Sequence, residues 1–137
     1  MNARRAPHLA LGQAGEDAAE ALLSAKGYAI VIRNYATRDG EVDVICLDGE
    51  TVVFVEVKTR GPGSLARPDQ AVTVTKRGRI VRAAAAFLSE RGWWERPCRF
   101  DVVTVLVRGD GRPAVRHLRD AFSLDEAAGT GDFYQPG

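Results

Sequence analysis

The stretch that decides the fold is GEVDVICLDGETVVFVEVKTR, residues 40–60. It contains two runs rich in β-branched and aromatic side chains, and they are separated by Asp48-Gly49, a pair typical of a tight β-hairpin. The first half of the second run is apolar on both faces, as expected of a strand inside a sheet. We therefore predict two antiparallel strands, 41–47 and 51–59, with the second at the centre of the sheet.

The second half of this central strand carries charges that its apolar pattern does not explain. Residues i and i+2 of a strand face the same side, so Glu56 and Lys58 share a face, and the hairpin brings Asp43 close to Glu56. Buried charges cost several kcal/mol unless they are paired or bound to a metal. Glu41 shares a face with Asp43 and has two open interpretations, an acid behind the site or a solvated edge residue.

This group of side chains indicates phosphodiester hydrolysis. Two converging carboxylates attract a hard cation, and Mg²⁺ prefers carboxylate oxygens together with water and phosphate oxygens. Mn²⁺ is the expected substitute. Such a metal lowers the pKa of water and neutralises charge on a scissile phosphate. Lys58 can stabilise the same charge, or orient or deprotonate the attacking water.

Residues 8–26 are predicted to form the first helix, because apolar side chains recur at spacings of three and four. Gly27 is its expected end. Two glycines near the helix start, Gly12 and Gly15, indicate that another part of the chain approaches closely there. The predicted buried stripe consists of Leu11, Ala14, Ala18, Leu22 and Ala25.

The other elements follow from the same periodicities. We predict a strand at 28–34, a polar turn at 34–40, a helix capped by Thr75 and ending near Arg91, and two more strands, 99–107 and 114–118. The first three strands form a meander, and the helical crossover before the fourth suits a parallel or mixed pairing. The predicted buried face of the second helix is Ile80, Ala83, Ala84, Phe87 and Leu88.

The length of 137 residues fits one domain, which we place at 8–119 and follow with a partly ordered tail at 120–137. No apolar run approaches the roughly 20 residues that span a bilayer, so no membrane partner is expected. The first residues carry charge without an apolar core, so we predict no signal peptide and a cytoplasmic location.

The middle of the chain is basic, with ten lysines and arginines but three acids between Lys58 and Arg99. This distribution favours contact with nucleic-acid phosphates beside the acidic site. A solvated helix face remains the alternative. The candidate phosphate contacts are Arg60, Lys76, Arg77 and Arg79.

Four other positions receive simpler interpretations. Cys46 and Cys98 match no metal-ligand spacing and are expected to be reduced. Asp101 is expected to pair with an arginine, and His117 is given no role. Trp93-Trp94 could stack on unpaired bases, but packing within the fold is favoured.

Gly40-Glu-Val-Asp43 followed by Val53-Phe-Val-Glu-Val-Lys-Thr-Arg60 resembles the PD-(D/E)xK nuclease signature. With Gly15-Glu16 and Arg99-Phe-Asp101, the chain closely resembles the YraN-like family of bacterial proteins over about residues 11–107. The resemblance implies an α/β, restriction-endonuclease-like fold of three layers, with a central mixed sheet of about five strands flanked by helices. It also implies kinship with archaeal Holliday junction resolvases.

Carried onto this sequence, the resemblance implies that Asp43 and Glu56 bind the metal and that Lys58 is catalytic. Glu16 matches the acid of the first helix that completes the metal shell, and Gln70 matches a position that is often polar in these nucleases. The Asp-containing element reads Glu-Val-Asp rather than Pro-Asp, a variant usual in this family.

The function expected from these residues is Mg²⁺-dependent endonucleolytic cleavage of DNA, on branched or damaged substrates. Resolution of a junction needs two symmetric cuts, which a homodimer would supply. The alternative is a DNA-binding or scaffolding module with little or no turnover. RNA remains an open alternative substrate.

Overall fold

Two helices and five strands make up the part of the chain that the computed structural model describes, which is 7–61, 73–110 and 112–122, with side chains from residue 12 onward. In chain order they are α1 (Pro7–Ala25), β1 (Ala29–Thr37), β2 (Gly40–Asp48), β3 (Thr51–Arg60), α2 (Val74–Arg91), β4 (Cys98–Val107) and β5 (Pro113–Phe122). The predicted tail falls mostly outside these residues, so the domain boundary at 119 stays a prediction.

The five strands form one mixed sheet in the order β1-β2-β3-β4-β5. β1, β2 and β3 make the predicted antiparallel meander, β3 and β4 are parallel, and β4 and β5 are antiparallel. The parallel pair is joined by a crossover that contains α2, as predicted. β3 lies at the centre, which explains why its first half is apolar on both faces.

The helices cover opposite faces of this sheet. α2 buries Ile80, Ala83, Ala84, Phe87 and Leu88, the face predicted for it, against a cluster that includes the β3 side chain Phe54. α1 buries Ala19 and Leu23 against the other face, where Val55 and Val103 lie. The three-layer α/β architecture is therefore confirmed.

The buried face of α1 differs from the predicted stripe, since Ala14 and Ala25 are exposed while Gly15, Ala19 and Leu23 are buried. Small apolar residues occur on several sides of this helix, so periodicity alone did not select the right side. The buried side of α1 is determined by Gly15, which lies against the Thr59 side chain so closely that a Cβ atom would overlap it. The close approach predicted for Gly15 is confirmed, whereas a Cβ atom at Gly12 would meet no other atom within 4 Å.

β1 extends three residues beyond its predicted end. The predicted turn at 34–40 is wrong, because Tyr35 still pairs with Val42 and Thr37 with Gly40. The chain passes Asn34 with a left-handed backbone (φ 56°), which an asparagine adopts at little cost. Residues 35–37 therefore belong to β1 because they pair with β2, although their composition suggests a loop.

Two more boundaries differ from the sequence prediction. α2 is capped by Thr73 and not by Thr75, and the Thr73 hydroxyl accepts a hydrogen bond from the backbone N–H of Lys76. β5 runs to Phe122 and not to Leu118, because Phe122 pairs with Phe100 of β4 and packs on its ring. Neither helix in the described ranges is long and apolar enough to cross a membrane.

Candidate active site

Asp43 and Glu56 meet where the regular pairing of β2 and β3 begins. That pairing starts at Val44 opposite Val55, so Asp43 lies just outside it. The Asp43 Oδ2 atom instead accepts a hydrogen bond from the backbone N–H of Val57 at 2.8 Å. This bond holds the Asp43 carboxyl beside that of Glu56, whose negative charge acts on Asp43.

Burial and the neighbouring acid change the protonation of Asp43. Burial, and next the negative charge of Glu56, raise the pKa of Asp43 to about 8, although the Val57 hydrogen bond opposes the shift. The Glu56 side chain is only 5 % exposed. The Asp43 carboxyl therefore holds its proton at neutral pH. A divalent cation could replace that proton, because it neutralises both groups.

Lys58 follows Glu56 on the same side of β3 and is half-buried. Burial, and then the positive charge of Arg60, lower the pKa of Lys58, while the charge of Glu56 opposes this. An ammonium group in this position can stabilise negative charge on a phosphate. A lowered pKa also makes it easier for the amine to accept a proton.

A second lysine, Lys76, reaches the same carboxyl pair from the first turns of α2. Its Nζ atom lies 2.8 Å from the Oε2 atom of Glu56. α2 can come this close because Gly40 lacks a side chain, and a Cβ atom there would overlap the backbone carbonyl of Arg79. The sequence indicated Lys76 as a phosphate contact and did not indicate this ion pair.

Glu16 does not join the carboxyl pair. Its Oε1 atom lies 3.3 Å from a guanidinium nitrogen of Arg33, which also pairs with Asp17 and Glu20. The charge of Glu16 still contributes, last of the causes, to the raised pKa of Asp43. Gln70 lies outside the described residues.

The donor set formed by Asp43 and Glu56 fits a hard divalent cation. Within the described ranges no three acidic, histidine or cysteine side chains form a group that could hold a metal ion. Two protein carboxylates with water and phosphate oxygens filling the other positions are what Mg²⁺ commonly accepts. The residues present therefore fit Mg²⁺, with Glu16 beyond direct reach.

The other predicted phosphate contacts are distributed around this centre. Arg60 donates from Nη1 to the carbonyl of Thr59, and the Arg77 guanidinium lies over the Phe122 ring, 5.5 Å from its centroid. Arg79 is exposed on α2. The structure thus leaves Arg79 directed to solvent and gives Arg60 and Arg77 contacts within the fold.

A second polar cluster surrounds the buried Asp101 of β4, which pairs with Val55 of β3. Its carboxylate accepts hydrogen bonds from Arg99 at 2.9 and 3.1 Å and pairs with His117 Nε2 at 2.8 Å. Burial alone would raise the pKa of Asp101, but the hydrogen bonds from His117 and Arg99 outweigh it, and the pKa is lowered. Arg99 also donates to Asp48 and to the Tyr28 hydroxyl.

The pairing of Asp101 with an arginine is therefore confirmed. The lack of a role for His117 is wrong, since its side chain is 2 % exposed and links β5 to Asp101 of β4. Lys26 Nζ lies 2.8 Å from His117 Nδ1, which indicates that Nδ1 accepts and Nε2 donates. The histidine stands on a strand whose composition gave a weak β signal, so its burial could not be anticipated.

The two tryptophans have different environments. Trp93 packs edge-on against Phe87 with a centroid distance of 5.7 Å, and Arg96 lies over its ring. Trp94 is 58 % exposed and donates from Nε1 to the Ser89 hydroxyl. Packing within the fold is confirmed for Trp93 only.

Both cysteines are free thiols, as predicted. Cys46 is buried in the cluster beneath α1, and burial raises its pKa to about 12. A thiol held in its protonated form has little nucleophilicity, so it acts here as a small apolar side chain.

Comparison with known proteins places these residues in a family. The family model described as "Uncharacterised protein family UPF0102" matches residues 15–105, which include β2, β3, α2 and most of β4. A UPF0102 protein of Nitratidesulfovibrio vulgaris (strain DP4) is 48% identical over 123 residues, 90% of this chain and 91% of the relative. One of Geotalea uraniireducens (strain Rf4) is 43% identical over 120 residues, 88% of this chain and 94% of the relative. Since these matches span nearly the full length of both partners, the chain belongs to the UPF0102 family.

Proposed function

We propose that this protein is a Mg²⁺-dependent endonuclease that hydrolyses DNA phosphodiester bonds, a YraN-like member of the PD-(D/E)xK superfamily related to archaeal Holliday junction resolvases. The observation that carries the proposal is the half-buried Asp43 carboxyl beside the buried Glu56 carboxyl, with Lys58 on the same side of β3 as Glu56. Paired acids with no structural need for each other are costly, and a cation site is the simplest reason to keep them.

Asp43 and Glu56 would hold the metal, Mg²⁺ or Mn²⁺ in its place. When bound, the cation supplies positive charge for the scissile phosphate and makes water easier to deprotonate. The backbone N–H of Val57 keeps its bond to Asp43 Oδ2, which fixes the direction of that carboxylate. Asp43 would lose its proton as the cation binds, so metal affinity rises with pH.

Lys58 acts on the phosphate or on the attacking water. As an ammonium group it donates hydrogen bonds to a phosphate oxygen on which charge develops. As a neutral amine it takes a proton from the water. Burial, the first cause of its lowered pKa, serves the second role by making the neutral form more accessible.

Basic side chains of α2 offset the repulsion between the acidic centre and DNA. Lys76 and Arg79 are both exposed on the first turns of this helix, next to the site. Their phosphate contacts are independent of base sequence, which suits a substrate recognised by its branched or damaged shape. We further propose that the protein acts in the cytoplasm, and as a homodimer where two symmetric cuts are needed.

Cleavage of a substrate panel tests this function. The panel contains a four-way junction, a flap, single-stranded DNA, duplex DNA and RNA, each with Mg²⁺, Mn²⁺ or a chelator. We expect metal-dependent cleavage by the wild type. Glu56→Gln, Asp43→Asn and Lys58→Met should each lose on the order of 10²-fold or more in rate, as expected for a lost ligand or proton-transfer group.

The matched control is Glu50→Gln, the same chemical change at an exposed residue of the β2–β3 turn. It should cleave like the wild type. Unimpaired cleavage by Glu56→Gln, or cleavage that continues in chelator, would refute the proposed site. Metal-dependent binding of DNA without cleavage of any substrate would favour the binding module, and preferential cleavage of RNA would correct the substrate.

A further inference from the structure

The ion pair between Lys76 and Glu56 places a cation of the protein on one of the two acids. The Nζ–Oε2 distance is 2.8 Å, and the charge of Lys76 also faces Asp43 and Glu41. Glu56 is 5 % exposed, whereas the Lys76 side chain is 50 % exposed. The acid is therefore fixed in the protein interior, and its partner reaches it from the surface.

We propose that Lys76 is a displaceable cation, which neutralises Glu56 in the metal-free protein and transfers to a nucleic-acid phosphate when a divalent cation occupies Glu56. The inference rests on the proposed function and adds to it a mechanism that couples metal binding to substrate binding. It assigns Lys76 as a positioning residue of the site, in addition to the phosphate contact that the sequence indicated.

The structure lets the side chain move while its backbone stays in place. The N–H of Lys76 is held by the Thr73 hydroxyl at 3.2 Å, inside the N-terminal cap of α2. One turn further along, α2 lies directly against Gly40 of β2. The lysine side chain itself is a flexible four-carbon stem that ends in a strongly hydrated charge, so it can exchange one anionic partner for another within reach.

Electrostatics gives the direction of the exchange. A divalent cation on Glu56 and an ammonium group on the same carboxylate repel each other, and the divalent ion has twice the charge. The wild type must break the contact between Lys76 and Glu56 when metal binds, and this cost lowers its apparent metal affinity. A half-exposed ion pair of this kind contributes about 1 kcal/mol, so metal should bind roughly fivefold more tightly once Lys76 is neutralised.

The exchange also affects DNA binding. Without metal, Lys76 is engaged by Glu56 and adds little to phosphate contact. With metal, its charge is directed to the substrate close to the scissile position. Each ligand then increases the affinity of the other, as linkage requires.

Calorimetric titration of the metal-free protein with Mg²⁺ or Mn²⁺ tests the first half of the inference. Lys76→Gln should bind metal roughly fivefold more tightly than the wild type. Lys76→Arg keeps the charge and should stay near wild-type affinity. The matched control is Arg82→Gln, which removes one positive charge from an exposed residue of the same helix whose Nε donates to the Asp39 carbonyl and not to the acids.

The salt dependence of binding to a labelled DNA duplex tests the second half. In Ca²⁺, which takes the same kinds of oxygen ligands, Lys76→Gln should reduce the slope of log affinity against log salt by about 0.9, the loss of one phosphate contact. In chelator the slopes of wild type and Lys76→Gln should agree. Arg82→Gln should not reproduce this metal-dependent difference.

The outcomes separate the two proposals. If the wild type binds no divalent cation, both the proposed function and the role of Lys76 are refuted. If the wild type binds metal but Lys76→Gln binds it equally or more weakly, the role of Lys76 is wrong and the proposed function stands. A difference in salt slope that persists in chelator would likewise show that Lys76 contacts phosphate without being released by metal.

Discussion

Asp43→Asn should make the metal-free protein more stable at neutral pH, although it removes a residue central to the proposed function. The amide has the shape of the carboxyl, and its oxygen can still accept the N–H of Val57. What the substitution removes is a buried group that the fold favours only in its protonated form. The variant therefore separates the structural role of Asp43 from its electrostatic cost.

The size of the effect follows from the pKa of Asp43, which burial and then the charge of Glu56 raise from 3.8 to about 8. A folded-state pKa above the unfolded value means that the native protein binds the proton more tightly. The contribution of the group to stability is then complete below pH 3.8 and is lost as pH rises toward 8. At about 1.4 kcal/mol per pH unit, the loss is about 2 kcal/mol at pH 5 and on the order of 4 kcal/mol at pH 7.

Asparagine does not ionise, so Asp43→Asn should avoid this loss. Urea unfolding in chelator at pH 5, 6, 7 and 8 measures the difference through the midpoint at constant m value. For a chain of 137 residues, a gain of about 4 kcal/mol in the free energy of unfolding corresponds to a rise of roughly 10–15 °C in Tm. The gain should grow from pH 5 to pH 7.

The matched control is Asp39→Asn, an exposed aspartate in the turn just before β2. Its unfolding free energy should stay within about 0.5 kcal/mol of the wild type, as for most surface changes. Addition of Mg²⁺ at about 100 times its Kd should stabilise the wild type by about 2.7 kcal/mol and leave Asp43→Asn unchanged. A variant equally or less stable than the wild type at pH 7, or a gain that does not grow with pH, would refute this account of Asp43.

Two further substitutions test the fold around the site. Gly15→Ala should destabilise the folded protein by about 1–3 kcal/mol, because the new methyl overlaps Thr59. Gly12→Ala in the same helix should instead stabilise it by up to about 1 kcal/mol. Equal effects of the two substitutions in urea unfolding would contradict the close contact of α1 with β3. Asp101→Asn should cost about 3 kcal/mol in urea unfolding, because the partly buried Arg99 loses one of its two charged partners. Metal affinity measured by calorimetry should stay at the wild-type value, and wild-type stability would contradict a structural role for Asp101.

The sequence was sufficient for the sheet and for the contact between the two acids. The alternating pattern and the Asp48-Gly49 turn specify the hairpin, and a hairpin of that length necessarily brings residues near 43 and 56 together. The same local rules predicted the buried face of α2 completely, because its large apolar residues Ile80, Phe87 and Leu88 recur at helical spacing. Where the apolar periodicity is strong, it determines which face of an element is buried, and the structure has that face buried.

The sequence was insufficient where tertiary contacts choose between equivalent local solutions. α1 has small apolar residues on several sides, and only the contact of Gly15 with Thr59 decides which side is buried. The ion pair of Lys76 depends on the distance between α2 and β2, which the absence of a side chain at Gly40 sets. The His117 ring is buried because it meets Asp101 of the neighbouring strand β4, a contact between strands that the pattern of β5 alone does not specify.

Asp43 and Asp101 are two acids of this sheet for which burial opposes ionisation, and the protein treats them in opposite ways. Asp101 is surrounded by donors, Arg99 and His117 among them, and its pKa is lowered. Asp43 has a second acid as its neighbour, and its pKa is raised. A fold that needed polar groups only for structural specificity could neutralise both, as it does at Asp101. We infer that an acid whose ionised form the fold disfavours is retained at position 43 because a divalent cation, bound together with a phosphate substrate, can replace its proton.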